Sequence, residues 1–120
     1  MRIWDVPVSV LCRQHLLGEH RELHALWTIL SQGKVGYSRH PETVRWNGKL
    51  AALYLRHAEL VHEMIARGYR HHSPLDAVLA VGDEVQSTFV DSIPAQREIL
   101  RNKGCRCDIS ALDAFIATHS

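Results

Sequence analysis

The sequence predicts an all-α protein, a compact bundle of three to five helices in which residues 1–120 form a single domain. Apolar residues repeat at spacings of three and four over long stretches, the period of a helix with one buried face. Alternation with period two is confined to the short stretch Thr88-Phe89-Val90. Hydrophobic residues make up 46% of the chain, which is enough for one core at this length.

The first long helix is predicted to start near Pro7 and Ser9, because proline fits a first helical turn and serine can cap one. No proline follows until after Gln32, and Gly33 is a natural stop. One apolar stripe of this helix contains Leu16, Leu23, Trp27 and Leu30. We expect the residues before the helix to form an extended segment packed against the bundle, and residues 33–41 to form a loop.

The clearest helical period runs from Glu42 to Arg67, and Gly68 is a natural C-cap for it. The pair Asn47-Gly48 favours a turn, so we expect a short helix followed by a long one. His57 lies on the apolar stripe and is predicted to be a core histidine. The stripe consists of Leu50, Leu53, Tyr54, His57, Leu60, Val61, Met64 and Ile65.

Three shorter helical segments are predicted after the long helix. Residues 73–76 start a short helix that extends to Val81. Ser92 and Pro94 open a second helix that runs through Lys103 and is closed by Gly104. The last segment is capped by Asp108 and reaches residue 118.

Metal-ligating residues are present, but their spacing in the sequence does not complete a site. Cys105 and Cys107 form a close pair without a second pair to supply four ligands. His20 and His24 lie one helical turn apart without a third ligand at a suitable spacing. We therefore expect neither a metal nor a cofactor, and three cysteines in all suit a reducing compartment rather than a disulfide framework.

One face of the first helix is polar. His15, Gly18 and Glu22 lie within about 60° of one another on a helical projection. Mid-helix glycine costs roughly 1 kcal/mol relative to alanine, so we expect another backbone, such as the N-terminal segment, or a ligand to approach Gly18 closely. On spacing alone, a solvated helix surface accounts for the charges of Glu22 and Arg21.

Several motifs, in register with the chain start, resemble the pyrimidine-dimer DNA glycosylases of the phage endonuclease V type. The first are Arg2-Ile3, Gln14-His15-Leu16 and Glu19-His20-Arg21-Glu22-Leu23, without a gap. A later one, Leu60-x-x-Glu63-Met64-x-x-Arg67-Gly68-Tyr69, is similar to the end of that family's central helix. The resemblance covers roughly residues 1–72.

The resemblance implies a DNA repair glycosylase with abasic-site β-lyase activity on cyclobutane pyrimidine dimers. The N-terminal α-amine would attack the sugar C1′, and a Schiff base would precede strand cleavage. A glutamate at the position of Glu22 is essential in the family, and residues matching Arg2, His15 and Arg21 position phosphates and lesion. The implied partner is damaged double-stranded DNA, with no membrane, bound by a cytoplasmic, nucleoid-associated monomer that needs no cofactor.

With the motifs in this register, Met1 occupies the position of the family's nucleophile. Removal of the initiator methionine needs a small second residue, and Arg2 is large, so we expect Met1 to be retained. An α-amine has a pKa near 7.7–8.0, against about 10.4 for lysine, so more of it is neutral at pH 7. Glu22 would stabilise positive charge developing on the sugar or move protons.

The chain departs from the family at two places. Ala25 replaces an arginine one turn beyond the glutamate, and residues 105–120 replace a basic, aromatic C-terminal end. Two alternatives therefore stay open. The first is an amine-dependent glycosylase or lyase that acts on another damaged base or on abasic sites. The second is a non-catalytic helical module that binds nucleic acid or a partner protein.

The charge of the chain neither excludes nor establishes binding to nucleic acid. The net charge of +1 is low for a DNA-binding protein. The basic residues are, however, eleven arginines and three lysines, and the planar guanidinium suits phosphate oxygens and base edges.

The middle of the chain supplies further candidate DNA contacts. Arg39 and Arg45 would bind phosphates, with Tyr37 or Trp46 stacking on a displaced base. In the alternative, both aromatic rings cover the core and Pro41 opens a helix.

A second basic cluster, of Arg67, Arg70, His71 and His72, follows the long helix. Phosphate contacts by Arg67 and Arg70 are predicted there. A solvated helix end, where cations are favoured, is the alternative interpretation.

Overall fold

The computed structural model describes residues 1–36 and 38–119. It contains five α-helices, and no strand is assigned among these residues. The helices are α1 (Arg13–Gln32), α2 (Pro41–Trp46), α3 (Leu50–Ala66), α4 (Ile93–Asn102) and α5 (Ile109–His119). Short 3-10 turns occupy Val8–Val10 and Ala77–Leu79. The predicted all-α class is confirmed, and none of the described helices is long and apolar enough to cross a bilayer.

The centre of the core is the contact between α1 and α3. Five leucines of the two helices are fully buried, and each contributes about 1.5–3 kcal/mol through removal from water. Of the residues on the predicted stripes, Leu30 and Leu50 are only partly buried and Ile65 is 59% exposed. Leu100 of α4 and Leu112 of α5 close the core on the other side. The buried leucines of α1 and α3 are Leu16, Leu23, Leu26, Leu53 and Leu60.

Residues 1–12 form a separate N-terminal segment rather than part of α1. The backbone is extended at Pro7, Leu11 and Cys12, with ψ of 137°, 136° and 168°, so the predicted helix start near Pro7 and Ser9 is wrong. Ile3, Trp4 and Val6 are buried. This confirms the expected packing of an extended N-terminal segment against the helices.

Three arginines hold the N-terminal segment through its backbone carbonyls. The donors are Arg45 to Ile3 at 2.8 Å, Arg56 to Val6 at 2.9 Å and Arg67 to Leu11 at 2.7 Å. Each of these guanidinium groups also pairs with a glutamate, Glu42, Glu19 and Glu63 respectively. Because hydrogen bonds to charged groups are stronger than neutral ones, the path of the chain towards Met1 is firmly defined.

The helix ends follow their predicted signals. Gly33 is left-handed at the end of α1, with φ of 64°, and the turn at residues 47–49 separates α2 from α3. Ser92 caps α4 by accepting from the amide of Ala95. Asp108 accepts from the amide of Ala111 in the first turn of α5.

The helix predicted over residues 73–81 is wrong. Only the 3-10 turn Ala77–Leu79 forms there. Val78 and Val81 are 82% and 60% exposed, so this segment has no buried apolar face. A short helix without such a face is unstable in water, because most helix stability in proteins comes from packing.

Gly82 attaches the long segment after α3 to the junction between α2 and α3. Its backbone forms a bridge to Lys49, and the amide of Asp83 donates to the carbonyl of Gly48 at 3.0 Å. The φ of Gly82 is 87°, and a Cβ there would lie 2.1 Å from the oxygen of Gly48. The contact requires glycine at this position, since that oxygen belongs to the backbone and cannot turn away.

We expect Gly82→Ala to lower the free energy of unfolding by at least about 2 kcal/mol, because it adds backbone strain to a steric clash. Urea denaturation measures this change. Gly36→Ala is the control, since a Cβ at Gly36 meets nothing within 4 Å. Equal stability of the Gly82→Ala protein and the unchanged protein would contradict the described junction.

Candidate active site

A cavity of about 470 Å³ lies where the N-terminal segment meets α1 and the end of α4. It brings together five of the residues that the sequence analysis selected for chemistry. These are Met1, Arg2, His15, Arg21 and Glu22. Gly18 and Lys103 also contribute to its wall. Residues far apart in the sequence therefore share one solvent-accessible space.

The α1 wall of the cavity is the polar face identified in the sequence. His15, Gly18 and Glu22 all line it, as their helical spacing predicts. A Cβ at Gly18 would meet no heavy atom within 4 Å. Close packing of the N-terminal backbone on Gly18 is therefore excluded, whereas the other expectation, approach of a ligand, stays a prediction because Gly18 lines the cavity.

Glu19 and Glu22 lie on neighbouring positions of α1 but in different environments. Glu19 is 2% exposed and accepts two hydrogen bonds from Arg56, at 2.7 and 2.9 Å. Burial opposes the charge on Arg56, but the Glu19 carboxylate outweighs it and raises the pKa of the guanidinium. Glu19 also accepts from the amide of Trp4 at 3.2 Å, so its carboxylate is used to hold the N-terminal segment.

Glu22 is half-buried on the cavity wall. Among residues 1–36 and 38–119, neither a hydrogen bond nor an ion pair engages its carboxylate. A carboxylate in a partly enclosed space, not committed to the fold, is available to a bound molecule. Of the two glutamates at the cavity, Glu22 is thus the one able to act chemically.

The remaining charges on the cavity wall are mostly positive. The guanidinium of Arg2 lies 2.9 Å from Asp91 and stacks over Trp4 at 4.9 Å. Arg21 is exposed at the rim, and Lys103 reaches the cavity from the end of α4. Arg21 and Lys103, which have no acidic partner among the described residues, are the cavity groups that can attract anions such as phosphate.

Lys103 was missed by the sequence analysis. It belongs to no motif, and only the folding of α4 against the N-terminal half brings it to the cavity. Burial, together with the charge of Lys103, lowers the pKa of His15 below its usual value. His15 is therefore a neutral imidazole near neutral pH.

His15 contacts sulfur atoms as well as the cavity. Its Nδ1 lies 3.1 Å from Sγ of Cys12 and 3.4 Å from Sγ of Cys107. Its ring also meets Trp4 edge to face, with centroids 5.9 Å apart. One ring nitrogen of His15 is thus directed at the cysteines rather than at a ligand in the cavity.

The predicted phosphate contact by Arg45 is wrong. The side chain of Arg45 is 3% exposed. All of its nitrogens donate inside the protein: Nε to Glu42, Nη1 to Asp5 and the carbonyl of Thr88, and Nη2 to the carbonyl of Ile3. Four of the five N–H donors of Arg45 are therefore used inside the protein, and its buried side chain does not reach the surface where DNA would bind.

The middle segment follows the alternative interpretation where it is described. Trp46 is 3% exposed, and its Nε1 donates to Glu42 at 3.1 Å. Pro41 begins α2. Tyr37 lies outside the described residues, so its predicted stacking stays a prediction.

The other predicted basic contacts are placed away from the cavity. The side chain of Arg67 is 25% exposed and is held by Glu63 and the carbonyl of Leu11, but its Nη1 makes no hydrogen bond among the described residues, so its phosphate contact stays a prediction. Arg39 and Arg70 are exposed but do not line the cavity. Phosphate contacts by these two arginines remain predictions.

Two groups of side chains among the described residues bring four possible metal ligands within 4.8 Å of one another. The first group consists of His20, His24, His57 and His71. The second group consists of Cys12, His15, Cys105 and Cys107. The expectation that neither pair finds further ligands is therefore wrong. The missing ligands come from distant parts of the chain, where spacing in the sequence gives no signal.

The geometry agrees with a comparison to known families. A family model described as pyrimidine dimer DNA glycosylase matches residues 1–77. No curated protein and no solved structure was found to match the chain. The matched residues contain the N-terminal segment and the α1 wall of the cavity, whereas Lys103 lies beyond them.

Proposed function

This chain belongs to the pyrimidine dimer DNA glycosylase family, and on that premise we propose that it excises cyclobutane pyrimidine dimers using the α-amine of Met1. The observation that carries the proposal is that Met1 and Glu22 line one cavity. We further propose an associated abasic-site β-lyase activity, and that residues 1–120 act as one domain. The lesion-containing substrate is double-stranded DNA, bound by a monomer.

The first step is nucleophilic substitution at the sugar. The neutral amine of Met1 forms a bond to C1′ of the 5′ nucleotide of the dimer, and the bond from C1′ to the base nitrogen breaks. The electron pair leaves with the base, which takes up a proton. Near neutral pH an α-amine supplies far more of the neutral nucleophile than a lysine does.

The second step cuts the strand. The sugar ring opens to an imine between C1′ and the Met1 nitrogen, and a proton is removed from C2′. The 3′ phosphate then leaves with the electron pair of its C–O bond, and water hydrolyses the imine to release the amine. The Glu22 carboxylate stabilises the cationic sugar in the first step and transfers protons in the second.

Positive groups around the cavity position the DNA. Arg2, Arg21 and Lys103 lie where phosphates next to the reacting sugar would bind. Arg39 and Arg70 are exposed and would contact phosphates further along the duplex. His15 forms the wall on the α1 side. Because attack at C1′ needs space inside a duplex, a base is displaced from the stack during binding.

Two substrates separate this proposal from its alternatives. The unmodified, untagged protein is incubated with ultraviolet-irradiated or unirradiated plasmid, and separately with an abasic-site oligonucleotide plus borohydride. We expect nicking of irradiated plasmid only, and a covalent protein–DNA adduct on the abasic site. An adduct without nicking of irradiated plasmid points to another lesion. If neither the nick nor the adduct forms, a non-catalytic binding module is the remaining interpretation.

A different lesion is the second candidate, and one residue favours it. Ala25 is exposed on α1 where the resemblance implies an arginine. Loss of that contact would change recognition of the lesion without affecting the amine or Glu22. The plasmid assay, repeated with plasmids carrying other base damage, distinguishes the two substrates.

Gly18→Ala tests whether substrate fills the cavity. We expect this variant to be more stable by about 0.5–1 kcal/mol, since alanine is the better helix former and its Cβ meets nothing within 4 Å. Strand cleavage should fall at least about tenfold, because a methyl group occupying substrate space costs more than about 1.4 kcal/mol in binding. Full activity in a stabilised Gly18→Ala protein would show that substrate does not approach α1 here.

A further inference from the structure

Four histidines that the proposed chemistry does not use converge between α1 and α3. His20 and His24 lie on α1, His57 on α3, and His71 in the segment that follows α3. Neighbouring ring centroids are between 4.6 and 5.2 Å apart. One ring nitrogen from each residue lies within 4.8 Å of the other three. We refer to these four residues as the histidine quartet.

Hydrogen bonding within the histidine quartet is incomplete. Nε2 of His24 and Nε2 of His57 are 3.1 Å apart, so one must donate a proton to the other. Nε2 of His20 and Nε2 of His71 are buried and have no hydrogen-bond partner among the described residues. Buried polar atoms without partners are costly and rare, and a bound ion is one explanation for them.

We infer that the histidine quartet binds one divalent transition-metal ion, for which Zn²⁺ is the best fit. Four nitrogens at about 2.0–2.1 Å from a tetrahedral zinc lie roughly 3.4 Å from one another. The 3.1 Å between His24 and His57 is close to that separation. A central ion would give all four ring nitrogens a partner, including the two that lack one.

The side chains of the histidine quartet are of the type that transition metals prefer. Neutral imidazole, with a free lone pair, is the form that binds zinc, copper and nickel. His57 is 6% exposed, so an ion held there is largely screened from water.

A site with four protein ligands has no open position for a substrate, so its role is structural. The bound ion would link α1 to α3 and to the chain that follows α3. His20 and Glu22 belong to the same turn of α1, so the ion would also steady the catalytic face. The metal site does not depend on the proposed glycosylase activity.

Metal content tests the histidine quartet directly. Full-length protein and the His71→Ala variant are loaded with Zn²⁺, freed of loosely bound ions and analysed for zinc per chain. His72→Ala is the matched control, because His72 is the exposed neighbour of His71. We expect His71→Ala to hold one zinc fewer than His72→Ala. Equal zinc content in the two variants would overturn the site.

Stability gives an independent readout that needs no variant. A chelator should lower the unfolding temperature of the wild-type protein, and added Zn²⁺ should restore it, since an ion bound to the folded state stabilises it. No change in unfolding temperature on adding or removing Zn²⁺ would overturn the site even if His71→Ala fails to fold.

A second group of possible metal ligands, three cysteines and one histidine, is supported by different observations. Cys12 precedes α1, His15 lies in its first turn, and Cys105 and Cys107 lie between α4 and α5. The three sulfurs and one ring nitrogen of His15 lie within 4.8 Å of one another. This thiol-rich group is referred to as the cysteine cluster. Cys107 is 8% exposed and Cys12 and Cys105 are partly buried.

The geometry points to a structural Zn²⁺ site of the three-cysteine, one-histidine type at the cysteine cluster. Sulfur at about 2.3 Å and nitrogen at about 2.0–2.1 Å from zinc lie roughly 3.5 Å apart. Sγ of Cys12 and Sγ of Cys107 lie 3.1 and 3.4 Å from Nδ1 of His15. Binding converts the three thiols to thiolates and releases their protons to solvent.

This second site would anchor the C-terminal part of the chain beside the cavity. Residues 105–107 lie beyond the residues that match the family. The backbone already brings them to the N-terminal segment, where the amide of Asp108 donates to the carbonyl of Val10 at 2.7 Å. Zinc would fix His15 on the cavity wall through its Nδ1.

Thiol alkylation tests the cysteine cluster. We expect the cysteines of zinc-loaded wild-type protein to react slowly, and at least about tenfold faster once a chelator removes the ion, because zinc-bound thiolate is protected. The same alkylation rate with and without chelator would overturn this site, because burial alone protects the thiols equally in both samples.

Variants separate the cysteine cluster from the histidine quartet. Cys105→Ser should hold one zinc fewer than Arg106→Ala, whose exposed side chain lies between the two cysteines. X-ray absorption of zinc-loaded wild-type protein should show both nitrogen and sulfur ligands. A zinc spectrum without sulfur would overturn the cysteine cluster, and one with sulfur as the main ligand and a single nitrogen would overturn the histidine quartet.

Discussion

Glu22→Gln is expected to reduce cleavage of dimer-containing DNA at least about 100-fold, the lower range for loss of a positioned acid–base group. Glutamine keeps the size of the side chain but can neither carry negative charge nor exchange a proton. Because the Glu22 carboxylate has no partner among the described residues, its removal should leave stability within about 0.5 kcal/mol. The measurement is the rate of nicking of irradiated plasmid, beside a urea denaturation curve.

Two other glutamates make this test specific. Glu84→Gln, in an exposed segment away from the cavity, should cleave at the wild-type rate. Glu19→Gln should be destabilised, because Glu19 is buried against Arg56. If Glu22→Gln retained the wild-type rate, the carboxylate would have no part in the reaction.

Arg56→Met should destabilise the protein by about 3–5 kcal/mol, the cost of removing one partner from a buried ion pair. Its guanidinium makes two hydrogen bonds to Glu19, and without them Glu19 is a buried charge lacking its partner. The hydrogen bond to the carbonyl of Val6 is lost as well, so the N-terminal segment is released. Urea denaturation measures the change.

The double variant Glu19→Gln with Arg56→Met tests whether the unpaired Glu19 carboxylate causes the loss of stability. It should be more stable than Arg56→Met alone, since a neutral amide is cheaper to bury than an unpaired carboxylate. Arg101→Met, on the exposed surface of α4, should change stability by less than about 0.5 kcal/mol. A double variant no more stable than Arg56→Met would mean that the ion pair is not the source of the loss.

Local signals predicted much of the fold. The apolar stripes of α1 and α3 are set by residues three and four apart, and Gly33, Ser92 and Asp108 mark helix ends through their own backbone or side chain. The helix predicted near residues 73–81 failed because its signal was a turn motif without a buried face. Capping residues locate a helix only where packing also supports one.

The candidate site residues were likewise predictable only where the signal was local in the sequence. Met1, His15 and Glu22 lie on one short stretch of chain, so a motif and a helical projection could bring them together. Arg45 was wrongly assigned to DNA because its partners, such as Ile3, lie far away in the sequence. Arginine type alone does not distinguish a phosphate contact from a buried structural one.

The two groups of possible metal ligands were also missed because their members are distant in the sequence. His20 and His24 are neighbours on one helix turn, but His57 and His71 reach them only through the packing of α1 on α3. Cys12 meets Cys107 only because the two ends of the chain fold together. Spacing in the sequence detects a metal site whose ligands are local, and both groups here are assembled by the tertiary fold.

The position of the borohydride adduct on the chain decides whether the α-amine of Met1 is the nucleophile. An abasic oligonucleotide is trapped on untagged protein, digested and located by mass spectrometry, with an N-acetylated sample as the blocked control. We expect an adduct on the α-amine of Met1, and none in the acetylated sample. An adduct on Lys103, the lysine of the cavity wall, or one that survives acetylation, would contradict this expectation.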